Sequence, residues 1–215
     1  MFKKFMNHEK GITGLETAII LIAFVVVAAV FAYTALSAGL FATQKAQESV
    51  YSGLKEAQST LELRGGVIAT ANTTGAAGKI QQLSFIVSNV LGGAPIDFTQ
   101  PTETSNNDGT ANSTAHTNVV VINYIDQGQV KDDLFWTITK LGNADSDDLL
   151  ESNERFQINI GSDTVNANGG NLIDALTTDL SVKTQFTLEI LTPVGAILQV
   201  ERTTPAWIDQ IVNLR

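Results

Sequence analysis

Cysteine is absent from the 215-residue chain, and histidine occurs only twice, at His8 and His116. The first absence excludes disulfide frameworks, thiolate nucleophiles and thiolate-held zinc or iron–sulfur centres. It leaves the compartment open, because a secreted domain with a large enough core needs no disulfides. The scarcity of histidine rules out multi-histidine metal sites, and a Ser-His-Asp arrangement would have to use His116. That residue falls in the polar stretch Gly92 to Asn118 and reads as an exposed loop residue rather than a base. Clustered basic charge is lacking as well. The formal net charge is -9, which opposes binding to nucleic-acid phosphates. With no glycine-rich phosphate loop and no nucleophile elbow, the sequence calls for no enzymatic chemistry and no cofactor.

A further absence organises the chain. From Thr17 to Gln44 there is no charged residue, and Ala, Val, Ile, Leu and Phe dominate. An α-helix needs about 20 such residues to cross a bilayer. The segment in front, MFKKFMNHEKG, carries Lys3, Lys4 and Lys10 and ends on a small residue. An ordinary secretory signal is cut after its apolar region. A cut at Gly11 would instead leave the apolar helix as the mature N-terminus. The basic flank stays cytoplasmic, which places the C-terminal part outside. Composition alone equally describes an uncleaved signal-anchor.

Lys10-Gly11, followed by Ile12-Thr13-Gly14-Leu15-Glu16 and the run from Thr17 to Tyr33, resembles the N-terminus of the archaeal flagellins, or archaellins. More broadly it is similar to the class III leader of type IV pilin-like filament subunits. The likeness extends from about residue 10 to 63 through Gln44-Lys45-Ala46-Gln47-Glu48, and the ending TLEILTPVGAILQVERTTPAWI is also archaellin-like. The resemblance implies a membrane-embedded aspartic peptidase of the prepilin type that cuts between Gly11 and Ile12, with Lys10 preceding the cut. It also implies that Glu16, at the fifth mature position, can pair with the free amine of a neighbouring subunit's first residue. A second reading of Glu16 needs no partner: a carboxylate in the first helical turn complements the helix dipole.

Beyond Gln44 the pattern becomes amphipathic, with Ala46, Val50, Leu54, Ala57 and Leu61 at helical spacing. The helix is expected to end at Arg64-Gly65-Gly66, a basic last turn followed by glycine. Such a rod is roughly 75 Å long, while only about 30 Å can be buried in a bilayer. Its apolar half must be surrounded by lipid or by other apolar helices. If subunits leave the membrane together, their helices exchange lipid for one another and hold a water-exposed fibre. Ile20, Phe24, Val27, Phe31, Leu36 and Phe41 are the candidate assembly residues, each worth about 1.5–3 kcal/mol when buried. Contacts that do not close on themselves give a helical filament. Gly39 and Gly53 mark either close helix approach or a bend.

After Gly66 the helical period disappears. Gly66 to Gly78 reads as a linker or first edge strand. Short β-rich runs follow at Gln82 to Leu91, Val119 to Ile125, Leu134 to Leu141, Phe156 to Ile160, Gln185 to Leu191 and Ala196 to Glu201. Thr192-Pro193-Val194-Gly195 reads as a hairpin turn, and Asn171 to Thr178 as a short helix. The expected fold class is α+β: a long N-terminal apolar helix followed by an antiparallel β-sandwich or barrel, immunoglobulin-like by the resemblance. The expected parts are a cleaved leader over 1–11, an assembly helix over 12–65 and an outer domain over 66–215.

Two N-x-S/T sequons, at Asn72 and Asn112, are expected on exposed loops as glycosylation sites. Asn143 to Asp148 spaces oxygen ligands as a calcium loop does, with Asp145 and Asp147 as candidate ligands. Asp148 stands, however, where that loop needs glycine, so an acidic solvated turn is the leading reading. Taken with the resemblance, the chain is expected to be a structural subunit of the archaeal swimming filament. Its partners would be copies of itself or sister subunits, the membrane before assembly, the peptidase, and assembly and motor machinery at the filament base. Its place would be an extracellular filament, with the precursor in the cytoplasmic membrane. The alternatives are an adhesive type IV pilin and a membrane-anchored extracellular binding domain or enzyme.

Overall fold

The structure is a computed structural model that describes residues 6–58, 60–90, 93–115, 117–161 and 170–214. The expectation for His116 lies outside these residues. The chain divides into two compact units between Ser52 and Gly53.

The first unit is built on α1 (Met6–Gln58), a helix of 53 residues, or about 80 Å at 1.5 Å per residue. Good helix formers dominate it, and neither proline nor a capping motif interrupts the apolar run. Every residue from Gly14 to Ala57 is exposed. Three of its hydroxyls bond within the helix. The hydroxyls of Thr17, Thr34 and Thr43 donate to the carbonyls of Gly14, Phe31 and Leu40 at 2.9–3.0 Å. Such back-bonding lets threonine sit in an apolar helix without an orphaned donor.

The helix ends at Gln58 rather than at Arg64-Gly65-Gly66, and strand β1 spans Leu61–Thr73. Leu61 belonged to the expected helical stripe, yet it lies 4% exposed in the β-domain core. A residue that fits both a period of 3.6 and a period of 2 goes where its side chain is buried. The assembly helix is therefore shorter than the 12–65 span expected, and the β-domain begins before residue 66.

The second unit is a β-domain of two main sheets. Its further strands are β2 (Lys79–Asn89), β3 (Ile96–Asp97), β4 (Val121–Asp126), β5 (Val130–Lys131), β6 (Trp136–Leu141), β7 (Leu149–Leu150), β8 (Arg155–Ile160), β9 (Gln185–Leu191), β10 (Leu198–Thr203) and β11 (Ile211–Leu214), with a short helix α2 (Leu172–Ala175) before β9. One sheet has five strands in the order β11-β1-β2-β8-β6, a second has four in the order β10-β9-β4-β5, and β3 pairs with β7. The strands within each sheet pair antiparallel. Each of the six β-rich runs expected from the sequence contains a strand, with bounds shifted by at most three residues and Leu91 outside the described residues, and the Thr192–Gly195 turn joins β9 to β10. Gly66 to Thr73 belongs to the first strand, which is interior rather than edge because β11 and β2 pair with it on both sides, and 74–78 turn into β2.

β1 carries an irregularity at its glycines. Arg64 faces Ile86 and Ile68 faces Ser84, so β1 advances four residues while β2 advances two. Gly65 takes φ +86° there, a conformation other residues avoid. The surplus is even, so side-chain alternation survives it. Leu61 before the glycines and Val67, Ala69 and Ala71 after them all face the core.

Aromatic side chains fill the space between the sheets. Phe98 meets Trp136 and Phe156 edge-on, each with ring centroids 5.9 Å apart, while Tyr124 stacks on Phe186 at 5.8 Å. Near α2, the carboxylate of Asp108 accepts bonds from the Thr104 and Thr110 hydroxyls and the Thr110 N–H, which hold its pKa below the ordinary value. Glu103 goes the other way, raised by burial and by Asp108 and Asp174. A carboxyl with a raised folded-state pKa binds its proton more tightly folded than unfolded, so stability falls as pH rises through that window. Glu103→Gln is therefore expected to raise the melting temperature of the β-domain near pH 7. Below the ordinary glutamate range it should change nothing, and calorimetry at the two pH values checks both arms.

Candidate assembly site

The uncharged run needs no special motif to be helical, but it does need somewhere to put its side chains. At about 100° per residue, Ile20, Phe24, Val27 and Phe31 form one stripe along α1, and Leu36 lies about 150° round from it. Phe24 is 72% exposed, Phe31 75% and Leu36 69%, so apolar surface faces outward on opposite sides. Ile20, Val27 and Phe41 are similarly exposed. No single partner surface could cover such a helix; it needs an environment that is apolar all round. Gly14 to Ala57 is also long and apolar enough to cross a membrane. Lys45, at the end of the uncharged run, pairs with Glu48 at 2.6 Å, both exposed.

Glu16 is exposed in the early part of α1. Lys10, Gly11 and Ile12 lie within the same helix. Gly39 and Gly53 meet nothing within 4 Å where a Cβ would stand, so the subunit by itself gives neither glycine a packing role.

In the β-domain, Asn72 is exposed near the end of β1, whereas Asn112 is half-buried rather than exposed. The Asn112 side-chain oxygen accepts bonds from the Thr114 N–H at 3.0 Å and hydroxyl at 2.6 Å, which folds that sequon into an Asx turn. Asp145 and Asp147 also act as turn formers. The Asp145 carboxylate accepts the Asp147 N–H and the Asp147 carboxylate accepts the Leu149 N–H, each at 2.9 Å. Glu154 accepts the N–H groups of Asp145 and Glu151 at 3.0 Å, and Asp148 pairs with Lys140. Among the described residues no three His, Asp or Glu side chains converge as a metal site would require.

The threonines of α1 carry no motif of their own in the sequence. Their signal is present only once the helix is assumed, since a hydroxyl can reach the carbonyl three residues back only in that conformation.

A helix apolar on every side, joined to an antiparallel β-domain with its own core, defines a class: a structural subunit whose hydrophobic element is completed by other molecules. A model of the archaeal-type flagellin family matches residues 11–202, and the chain belongs to that family. It is a structural subunit of the archaellum filament, a class that is not enzymatic. The chain is 34% identical to probable flagellin 1 of Archaeoglobus fulgidus, with 100% of this chain and 99% of that protein aligned. It is 32% identical to probable flagellin 1 of Aeropyrum pernix, over 94% of this chain and 95% of the other. Among solved structures, the archaeal flagellum of Methanospirillum hungatei strain JF1 is similar with a TM-score of 0.59 and 30% identity, covering 94% of this chain and 98% of that one.

Proposed function

We propose that the chain is made as a precursor, held in the cytoplasmic membrane by α1, cut between Gly11 and Ile12 by a prepilin-type aspartic peptidase, and then polymerised through the same helix. The observation that carries this reading is the all-round exposure of α1 from Gly14 to Ala57. Lipid satisfies such a surface first, and neighbouring helices do so in the polymer. Ile20, Phe24, Val27, Phe31, Leu36 and Phe41 supply the contact area. Glu16 takes the new amine of Ile12 on a neighbour as its counter-charge. Copies of this chain or sister subunits are the partners, and the β-domain forms the outside of an extracellular filament turned by machinery at its base.

The exposed Asn72 and the turn at Asn112 serve as glycan acceptors on this outer surface. One measurement addresses processing and modification together: N-terminal sequencing with intact mass on filaments sheared from cells. The expected N-terminus is Ile12, and the expected mass exceeds that of residues 12–215 by a glycan. A start at Met1 refutes processing, and an unadorned mass refutes glycosylation. Replacing Gly11 with a bulky residue is expected to trap the full-length precursor in the membrane fraction.

A further inference from the structure

The described part of the β-domain exposes two apolar patches that its own core does not use. The first is a groove of about 300 Å³ whose walls include Pro95, Val119, Pro193 and Val194; Val119 is 44% exposed and Val194 41%. The second is Trp207, 60% exposed; Ile211 and Ile68 elsewhere on the β1–β11 pair are uncovered too. The backbone beside Trp207 is fixed. The neighbouring Ile208 is fully buried and exchanges backbone hydrogen bonds with Gly75 at 2.8 and 3.1 Å. The indole lies over Gly75, where a Cβ would come within 3.9 Å of it.

The two patches sit at opposite ends of the domain. Pro193 and Val194 form the turn before β10, and Trp207 follows the far end of that strand. Six residues of strand separate them by about 20 Å. β2 has the same polarity: Asn89 at its end donates to the Ala94 carbonyl beside the groove, while Gly75 precedes its start. An open helical polymer needs two different surfaces on each subunit that meet between successive copies. A preorganised aromatic at one end and an apolar groove at the other meet that need, and buried Trp anchors dominate such interfaces.

We propose that Trp207 of one subunit seats in the Pro95, Val119 and Val194 groove of a second copy, joining outer domains head to tail in addition to the helix contacts. The contact rests on the polymeric reading above. The cysteine-free sequence makes a clean test. Filaments of the Val194→Cys/Trp207→Cys double variant, treated with a short bis-maleimide, should yield a ladder of covalent multimers, and each single variant should remain monomeric. Filaments visible by electron microscopy that give no ladder overturn the contact. Dimers from Trp207→Cys alone overturn it too, because they would mean like meets like.

Should the double variant fail to assemble, wild-type filaments decide. The chain has two tryptophans, and Trp136 is fully buried. Acrylamide should therefore reach Trp207 in detergent-held subunits and neither indole in filaments. Trp207 quenched as freely in filaments as in subunits refutes the proposal. A wild-type chain that forms no filaments refutes the polymeric reading, and the contact falls with it.

Discussion

Cells carrying Val27→Asp as their only subunit gene of this kind are expected to show no filaments and no swimming, while the β-domain of the variant melts at the wild-type temperature. Val27 sits in the middle of the uncharged run and is 67% exposed on α1. Aspartate there costs about 2.5–3.5 kcal/mol on insertion into a bilayer. In the polymer it removes the 1.5–3 kcal/mol or so that a buried valine contributes, and it places an unpaired carboxylate among apolar helices. That second penalty recurs in every subunit, so even a modest cost per contact is multiplied along the fibre. The β-domain is spared because its core contains no residue of α1.

Val27→Thr separates charge from shape. Threonine at this position can donate to the Phe24 carbonyl, as Thr34 does to Phe31, and filaments are expected to persist. Electron microscopy of sheared material and calorimetry of detergent-held subunits read both arms. Filaments from Val27→Asp would mean that this face of the helix is not buried in the assembly.

The contrast between helix and β-domain explains what could be read from the sequence. The apolar run was legible because its signal is local and repeated: Thr17 to Gln44 has no charge, and nothing but a helix satisfies its backbone in lipid. The longer strands were legible because alternation is also local. The end of α1 was not, since Leu61 satisfies both periods and only the β-domain core decides between them. β3, β5 and β7 are two residues each, too short to carry any pattern. They exist because a partner strand lies beside them. Asn112 was expected on an exposed loop from composition, but its Asx turn draws it half into the surface. The apolar candidates for assembly were found by composition. Trp207 is not legible, because nothing near it in sequence distinguishes an exposed tryptophan from a buried one.

Phe98 is the clearest such case, and replacing it tests the point. It lies in the stretch from Gly92 to Asn118 that reads as a polar loop, yet it is fully buried, and its N–H donates to the Asp148 carbonyl at 2.7 Å. Its ring contacts with Trp136 and Phe156 cross at 76° and 81°, so it ties the loop to β6 and β8. Phe98→Ala is expected to cost about 3–5 kcal/mol through lost burial and the cavity left behind. Each edge-to-face pair adds about 0.5–1.5 kcal/mol beyond burial. A domain of this size loses about 2–4 °C of melting temperature per kcal/mol, so the fall should be at least 6 °C. Measured on detergent-held subunits, that loss should accompany unchanged membrane insertion of α1, because Phe98 and the helix belong to separate units. A melting temperature within 2 °C or so of wild type would mean the loop is not anchored in the core. The residue that a polar composition hides would then not be the one that closes the domain.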